Sequence, residues 1–148
     1  MIAVGRLRPA FRDLADDYLR RISRFAKLHE RQCREAGKAS TVEAGRRQEA
    51  TRLRELVTPG GITVALDRAG ESWTSESLAS QLDDWRRASR PVSFLIGGSH
   101  GIDPALLNGC ERRWSLGPLT LPHELARVVV YEQIYRGFTI LHGTPYHK

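Results

Sequence analysis

The sequence predicts an α/β fold, a mostly parallel sheet with helices on both faces, and three observations carry that expectation. Short apolar runs alternate with stretches whose apolar residues recur at helical spacing. The spacing leaves room for a crossover helix between successive strands, which parallel pairing requires. No internal repeat, low-complexity tract or long linker divides the chain, so residues 1–148 read as a single domain.

Taken in order, Ile2 to Val4 is the end of a first strand, and Phe11, Leu14, Ala15, Tyr18, Ile22 and Phe25 mark an amphipathic helix. A weaker strand spans Leu28 to Cys33. A polar stretch with Gly37 and Ser40 leads into a helix from about Thr41, with Leu53, Leu56 and Val57 on its apolar face and Pro59-Gly60-Gly61 as its stop. Ile62 to Leu66 is an apolar strand. Thr74 or Ser75 opens the next helix, whose buried stripe is Leu78, Leu82 and Trp85. Val92 to Ile96 is the most strand-like run in the chain. A short helix begins near Asp103-Pro104, with proline at its first position, and a strand follows near Trp114 to Leu116. The last helix runs from about His123 to Leu141, with Leu125, Val128, Ile134, Tyr135, Phe138 and Leu141 on one side.

A chain of 148 residues can bury about two thirds of its unfolded surface without staples. Cys33 and Cys110 lie outside any CxxC or Cys/His ligand spacing, which indicates reduced thiols and no metal site. The start of the chain lacks the apolar core of a signal peptide and no run approaches a membrane span, so a cytoplasmic protein is expected. The formal charge of +6 is uneven: residues 1–58 hold 14 Lys/Arg against 8 Asp/Glu, and residues 59–148 hold 9 of each. A basic half suits a polyanion, nucleic acid first; a solvated arginine-rich helix face would give the same count.

In parallel sheets ligands sit beyond the carboxyl ends of the strands, where Leu66-Asp67, Gly97-Gly98 and Leu116 to Leu121 are expected to converge. Glycine lets a ligand approach the main chain closely, so two such turns suggest a small-molecule cradle. The glycine loop carries no Gly-Lys-Ser/Thr and no GxGxxG with a distant acid, which removes support for phosphoryl and hydride transfer. His123-Glu124 lacks the second histidine of HExxH, since Arg127 stands there, and Ser99 lies in no GxSxG elbow that could partner His147.

Val92 to Ile102, Trp114 to Arg136 and Pro145 to Lys148 resemble the corresponding segments of the RlmH family, bacterial methyltransferases of the SPOUT class that act on a pseudouridine of large-subunit ribosomal RNA. The opening Ala3-Val4-Gly5, the helix with Tyr18-Leu19-Arg20-Arg21, and Leu66-Asp67 fall in the expected order. The combination of the Gly-Gly loop, Leu-Thr-Leu-Pro-His, Glu-Gln-Ile-Tyr-Arg and the terminal Tyr-His-Lys is more specific than any one part. The resemblance implies a trefoil-knotted α/β fold, a homodimer with a site composed across it, and S-adenosylmethionine held by backbone groups. Cofactor contacts would be Leu66, Gly97, Gly98, Leu116, Gly117, Pro118, Leu119, Thr120 and Leu121, and the catalytic neighbourhood Arg136, Tyr146, His147 and Lys148. The substrate implied is 23S ribosomal RNA, methylated at N3 of a pseudouridine on the assembled ribosome. The first strand is shorter than the family leads one to expect.

Methyl transfer to a ring nitrogen needs aligned, desolvated reactants and no metal. The imide N3 is nucleophilic only as the anion, which assigns His147 to proton acceptance, Arg136 and Lys148 to charge stabilisation and Tyr146 to orienting or stacking on the base. Each assignment has a plain rival. The tail can be a frayed end, Gly97-Gly98 an ordinary turn, and Arg136 half of a structural ion pair. His123 is expected to cap or pack at the helix start, His29, His100 and His142 have no motif partner and are assigned no role, and Trp114 with the apolar face of the last helix is expected to form core or dimer interface. Two other functions fit the sequence: a SPOUT enzyme with another RNA target, and a non-catalytic ribosome-binding factor that holds phosphates through its basic half.

Overall fold

The computed structural model describes residues 1–146, folded around a five-stranded sheet with every neighbouring pair parallel. In chain order the elements are β1 (Ile2–Val4), α1 (Pro9–Ile22), β2 (Arg31–Cys33), α2 (Val42–Leu56), β3 (Ile62–Ser72), α3 (Ser75–Arg87), β4 (Val92–Ile96), α4 (Pro104–Asn108), β5 (Arg112–Ser115) and α5 (His123–Leu141). The strand order is β2-β1-β4-β3-β5. Successive side chains of a strand point to opposite faces, and the core divides accordingly. Ala3, Ile62, Val64, Phe94, Ile96 and Trp114 pack against α1, α3 and α5, whereas Ile2, Val4, Ala65 and Leu95 pack against α2 and α4. The α/β expectation, with helices on both faces, therefore holds.

The helix starts follow from local chemistry. Proline opens α1 and α4, where its missing N–H has no intrahelical partner in any case. Thr41, Thr74 and Asp103 each accept a backbone N–H two or three residues on, capping α2, α3 and α4. The stripe Leu78, Leu82 and Trp85 is buried as its spacing predicts. Leu14 departs from the expected α1 stripe and stands 52% exposed, and Phe25 packs into the core from beyond the end of the helix.

β3 differs most from expectation. It runs past Leu66 to Ser72, and both Leu66 and Glu71 register against Trp114, so residues 67–70 form a bulge. Three contacts hold this polar half of the strand to β5. Arg113 Nε donates to Asp67 Oδ2 at 3.0 Å, the Ser115 hydroxyl reaches Arg68 O at 3.1 Å, and the bare Cα of Gly70 lies so close to Arg113 that a Cβ would meet its carbonyl oxygen at 2.6 Å. β5 accordingly spans Arg112–Ser115, two residues earlier than the apolar pattern places it, and Leu116 lies outside it. β2 is shorter than predicted and exposed, a brief polar edge strand. Trp114, a candidate for core or interface, is core: it is 3% exposed and stacks on Trp73 at 5.3 Å.

α5 is buried on more than one side, by α1, α3 and the sheet, so its buried set includes the polar Glu124, Arg127 and Thr139 besides Val128, Ile134 and Phe138. Burying a charge requires partners. Arg127, fully buried, donates to Val4 O at 3.1 Å and Gly5 O at 3.0 Å and faces Glu30 at 3.5 Å, while Arg12 reaches the other Glu30 oxygen at 2.5 Å. Burial alone would raise the Glu30 carboxyl, but the Arg12 hydrogen bond and the charges of Arg12 and Arg127 outweigh it, and the group titrates below its usual range. This network ties α1 and the beginning of α5 to the carboxyl end of β1.

Candidate active site

The two glycine turns stand where the sheet topology places ligand loops. β4 ends at Ile96 and passes into Gly97 and Gly98, both buried. The turn closes at once: Gly101 N donates to Gly98 O at 3.0 Å with Gly101 at φ +77°. Gly97 is required because a Cβ there would lie 2.6 Å from the Gly101 carbonyl carbon and 2.8 Å from Ile102 Cγ1. The ladder between β3 and β4 stops at Ala65 and Leu95, one residue before Leu66. Half-buried Leu66 therefore sits level with the end of β4, inside the extended β3 and not in a loop beyond it as expected.

The second turn follows β5. Buried Ser115, which sequence reasoning missed, accepts from Gly117 N at 3.2 Å and so ties the loop to the β3 bulge that its hydroxyl also touches. Gly117 takes φ +113°. Leu116, Gly117 and Leu121 are half-buried, whereas Pro118, Leu119 and Thr120 project into solvent, Leu119 at 76% exposure. At Gly101 and Gly117 a Cβ would meet nothing within 4 Å. Two stretches of main chain thus face open space at the carboxyl end of the sheet, the setting in which amides can hold a small ligand. His123, next to this end, is the first residue of α5 and does not cap it: Pro122 holds the cap position without a side-chain cap, and His123 Nε2 lies 4.0 Å from Glu35.

The tail candidates gather elsewhere. Arg136 donates from Nε at 2.9 Å and Nη2 at 2.6 Å to Glu132 Oε1, and its guanidinium lies 4.8 Å from the centre of the Tyr146 ring. The Tyr146 hydroxyl donates to the same Glu132 oxygen at 3.2 Å and lies 3.5 Å from that of Tyr18. The other Glu132 oxygen accepts from Gln133 Nε2 at 2.6 Å, and Ser75 donates to Gln133 Oε1 at 2.8 Å. Burial first, then Tyr18 and Glu132, push the Tyr146 phenol well above its ordinary value. The Glu132 hydrogen bond raises Arg136 despite partial burial. Near neutrality the pair is a proton-bearing phenol and a fixed cation; neither accepts a proton. His147 and Lys148 lie outside the described residues.

Glu132, Tyr18 and Tyr135, whose ring meets Tyr146 edge-on at 4.8 Å, complete this cluster and were not among the sequence candidates. Glu132 had a signal, since it precedes Arg136 by one helical turn. Tyr18 and Tyr135 lay in the apolar stripes of their helices and in segments that carry the family resemblance, but nothing in the sequence set them beside Tyr146.

Among the described residues, the tail candidates Arg136 and Tyr146 do not meet the cofactor candidates within one chain. α5 begins beside the carboxyl end of β1, where Arg127 holds Val4 and Gly5. At 1.5 Å per residue Arg136 stands about 20 Å further along the axis from His123. There Phe138 and Ile134 share a cavity of about 410 Å³ with Met1 and Val92, the residues that open β1 and β4. That cavity, chiefly apolar and at the amino ends of the strands, lies at the opposite end of the sheet from both glycine turns.

The family model described as "Predicted SPOUT methyltransferase" matches residues 1–147. A protein of Stutzerimonas stutzeri (strain A1501) named Ribosomal RNA large subunit methyltransferase H is 40% identical over 100% of this chain and 97% of its own length. Its namesake in Azotobacter vinelandii is 47% identical over 69% of this chain and 66% of its own. The crystal structure of the SpoU methyltransferase AviRb from Streptomyces viridochromogenes, in complex with the cofactor AdoMet, is similar at a TM-score of 0.45 and 14% identity, covering 91% of this chain and 56% of that one. By the match along nearly its whole length, the chain belongs to the SPOUT methyltransferase family.

Proposed function

We propose that this chain is an S-adenosylmethionine-dependent enzyme that methylates N3 of a pseudouridine in 23S ribosomal RNA. It acts in the cytoplasm on the assembled ribosome, as a homodimer of one SPOUT-type domain (1–148) with a C-terminal trefoil knot. The observation that carries the reading is full-length similarity to proteins named Ribosomal RNA large subunit methyltransferase H. The open main chain at Gly101 and Gly117 fits a ligand held by backbone groups. Leu66, Gly97, Gly98 and the loop Leu116, Gly117, Pro118, Leu119, Thr120 and Leu121 would hold S-adenosylmethionine, which supplies an electrophilic methyl group.

The acceptor nitrogen must lose its proton before it can attack. Arg136, kept cationic by Glu132, would stabilise the resulting anion, with Lys148 as a second positive charge. Tyr146, kept protonated, would donate to or stack on the base. His147 follows Tyr146 in sequence, and an imidazole is the side-chain type suited to take the proton. Because Arg136 and Tyr146 stand far along α5 from the loops at its start, each complete site is assigned to two copies of the chain, one giving the turns and its partner the tail.

The test is transfer of labelled methyl from S-adenosylmethionine to ribosomes lacking the modification, followed by nucleoside mass spectrometry. The expected product is 3-methylpseudouridine. A different methylated base or ribose would assign another RNA target, and salt-dependent RNA binding with no heat on titration with S-adenosylmethionine would assign a non-catalytic binding factor.

A further inference from the structure

The end of α1 carries more positive charge than its own structure calls for. Arg20 and Arg21 occupy its last turn and Arg24 follows it; with Asp17 and Tyr135 they line a cleft of about 250 Å³. A helix carboxyl end presents roughly half a negative charge. Asp17 adds one full charge, lying 2.7 Å from Arg21 and 3.6 Å from Arg20. Three guanidiniums against that sum leave a clear positive surplus. The end of α3 has the same spacing but a different balance: Arg86 and Arg87 share Asp83 at 2.7 and 2.5 Å, and Arg90, which follows as Arg24 follows α1, is held by Glu111 at 2.7 Å.

The cluster is also built. Arg21 is fixed by Asp17 and by two rings, its guanidinium lying 5.7 Å from the centre of Tyr18 and 5.8 Å from that of Tyr135. Both rings belong to the tail cluster, since Tyr18 OH lies 3.5 Å from Tyr146 OH and Tyr135 packs on Tyr146. Arg20 is exposed with a long, loose ion pair, and Arg24 is exposed with no ion pair among the described residues. A fixed guanidinium flanked by one loosely paired and one without an ion pair among the described residues matches a phosphate diester, which offers several acceptor oxygens.

We propose that Arg20, Arg21 and Arg24 form a backbone-phosphate subsite that holds the RNA strand beside the target nucleotide, next to the tail of the same chain. The proposal rests on the functional reading above and adds the residues that position its substrate. Phosphate contacts fix register and carry no base information, so this subsite sets where the strand lies and leaves the choice of base to the tail and the ribosome.

The experiment compares wild type, Arg20→Gln/Arg24→Gln and the control Arg86→Gln/Arg87→Gln. Each is titrated between 50 and 200 mM salt with deproteinised large-subunit RNA and with intact large subunits. Loss of two phosphate contacts lowers the slope of log affinity against log salt by about 0.9 to 0.7 for each. The expected result is that drop in the first variant alone, on both probes, with a raised KM for subunits, unchanged kcat and unchanged affinity for S-adenosylmethionine. An unchanged slope, an equal drop in the control, or a loss confined to intact subunits, which would indicate a ribosomal protein as the partner, overturns it. The slope is read without turnover, so a wild type that binds RNA but transfers no methyl sinks the functional reading alone.

Discussion

Replacing Gly97 by alanine tests whether the first turn owes its shape to close approach. The added Cβ would lie 2.6 Å from the Gly101 carbonyl carbon, 2.8 Å from its oxygen and 2.8 Å from Ile102 Cγ1. Two of these are backbone atoms that cannot swing aside. Relief to an ordinary contact of at least 3.5 Å requires the turn to open by roughly 0.9 Å, an overpacking of about 1–3 kcal/mol. At about 2–4 °C per kcal/mol for a chain of this size, the melting temperature falls by roughly 2–12 °C. Gly98→Ala is the internal comparison, because its Cβ would meet the movable Glu49 carboxylate at 3.0 Å and Val4 Cγ1 at 3.2 Å. It should cost less. Thermal denaturation gives the stability order, and calorimetric titration with S-adenosylmethionine should show at least a tenfold loss for Gly97→Ala, about 1.4 kcal/mol. A Gly97→Ala protein that melts and binds like wild type, or a Gly98→Ala protein that is worse, would refute the reasoning.

Arg127→Met removes the donors to Val4 O and Gly5 O and leaves Glu30 with one cation fewer; breaking such a buried pair costs about 3–5 kcal/mol, read as a lower denaturation midpoint. Glu30 titrates lower folded than unfolded, so its contribution is fully present above the unfolded value near 4.3 and is lost as pH falls through the folded one. Glu30→Gln should therefore flatten the dependence of melting temperature on pH below about 4.3. Arg136→Lys keeps the charge but loses the two-pronged hold on Glu132 and the stacking on Tyr146, so kcat should fall by about tenfold or more while cofactor affinity stays. Equal kcat would show that only charge matters there.

The α/β class was legible because Ile2–Val4, Ile62–Leu66 and Val92–Ile96 are apolar on both faces, as strands covered by helices must be. The second half of β3 was not. Its residues Asp67 to Ser72 carry no apolar signal, and its pairing depends on Arg113 and Ser115, more than forty residues away in sequence. α5 hid part of its buried face for a related reason, since Glu124 and Arg127 read as solvent-facing until their partners Arg8, Val4 and Gly5 are known. Glycine announced the two turns, because close approach at Gly97 and positive φ at Gly101 and Gly117 leave few alternatives. The separation of turns and tail was concealed. Chain order places them close together, and the length of α5 sets Arg136 and Tyr146 about 20 Å along its axis from the loops at its start.

The central claim, a site shared between two copies, is tested most directly by mixing two inactive variants. Gly117→Val forces a branched side chain onto φ +113° in the cofactor loop, and Arg136→Ala empties the tail cluster. Unfolded together and refolded, they should form heterodimers in which one of the two sites pairs an intact loop with an intact tail. Random pairing then restores methyl transfer to about a quarter of the wild-type level. If loop and tail act within one chain, each chain of the mixture remains defective and transfer stays at the level of the separate variants.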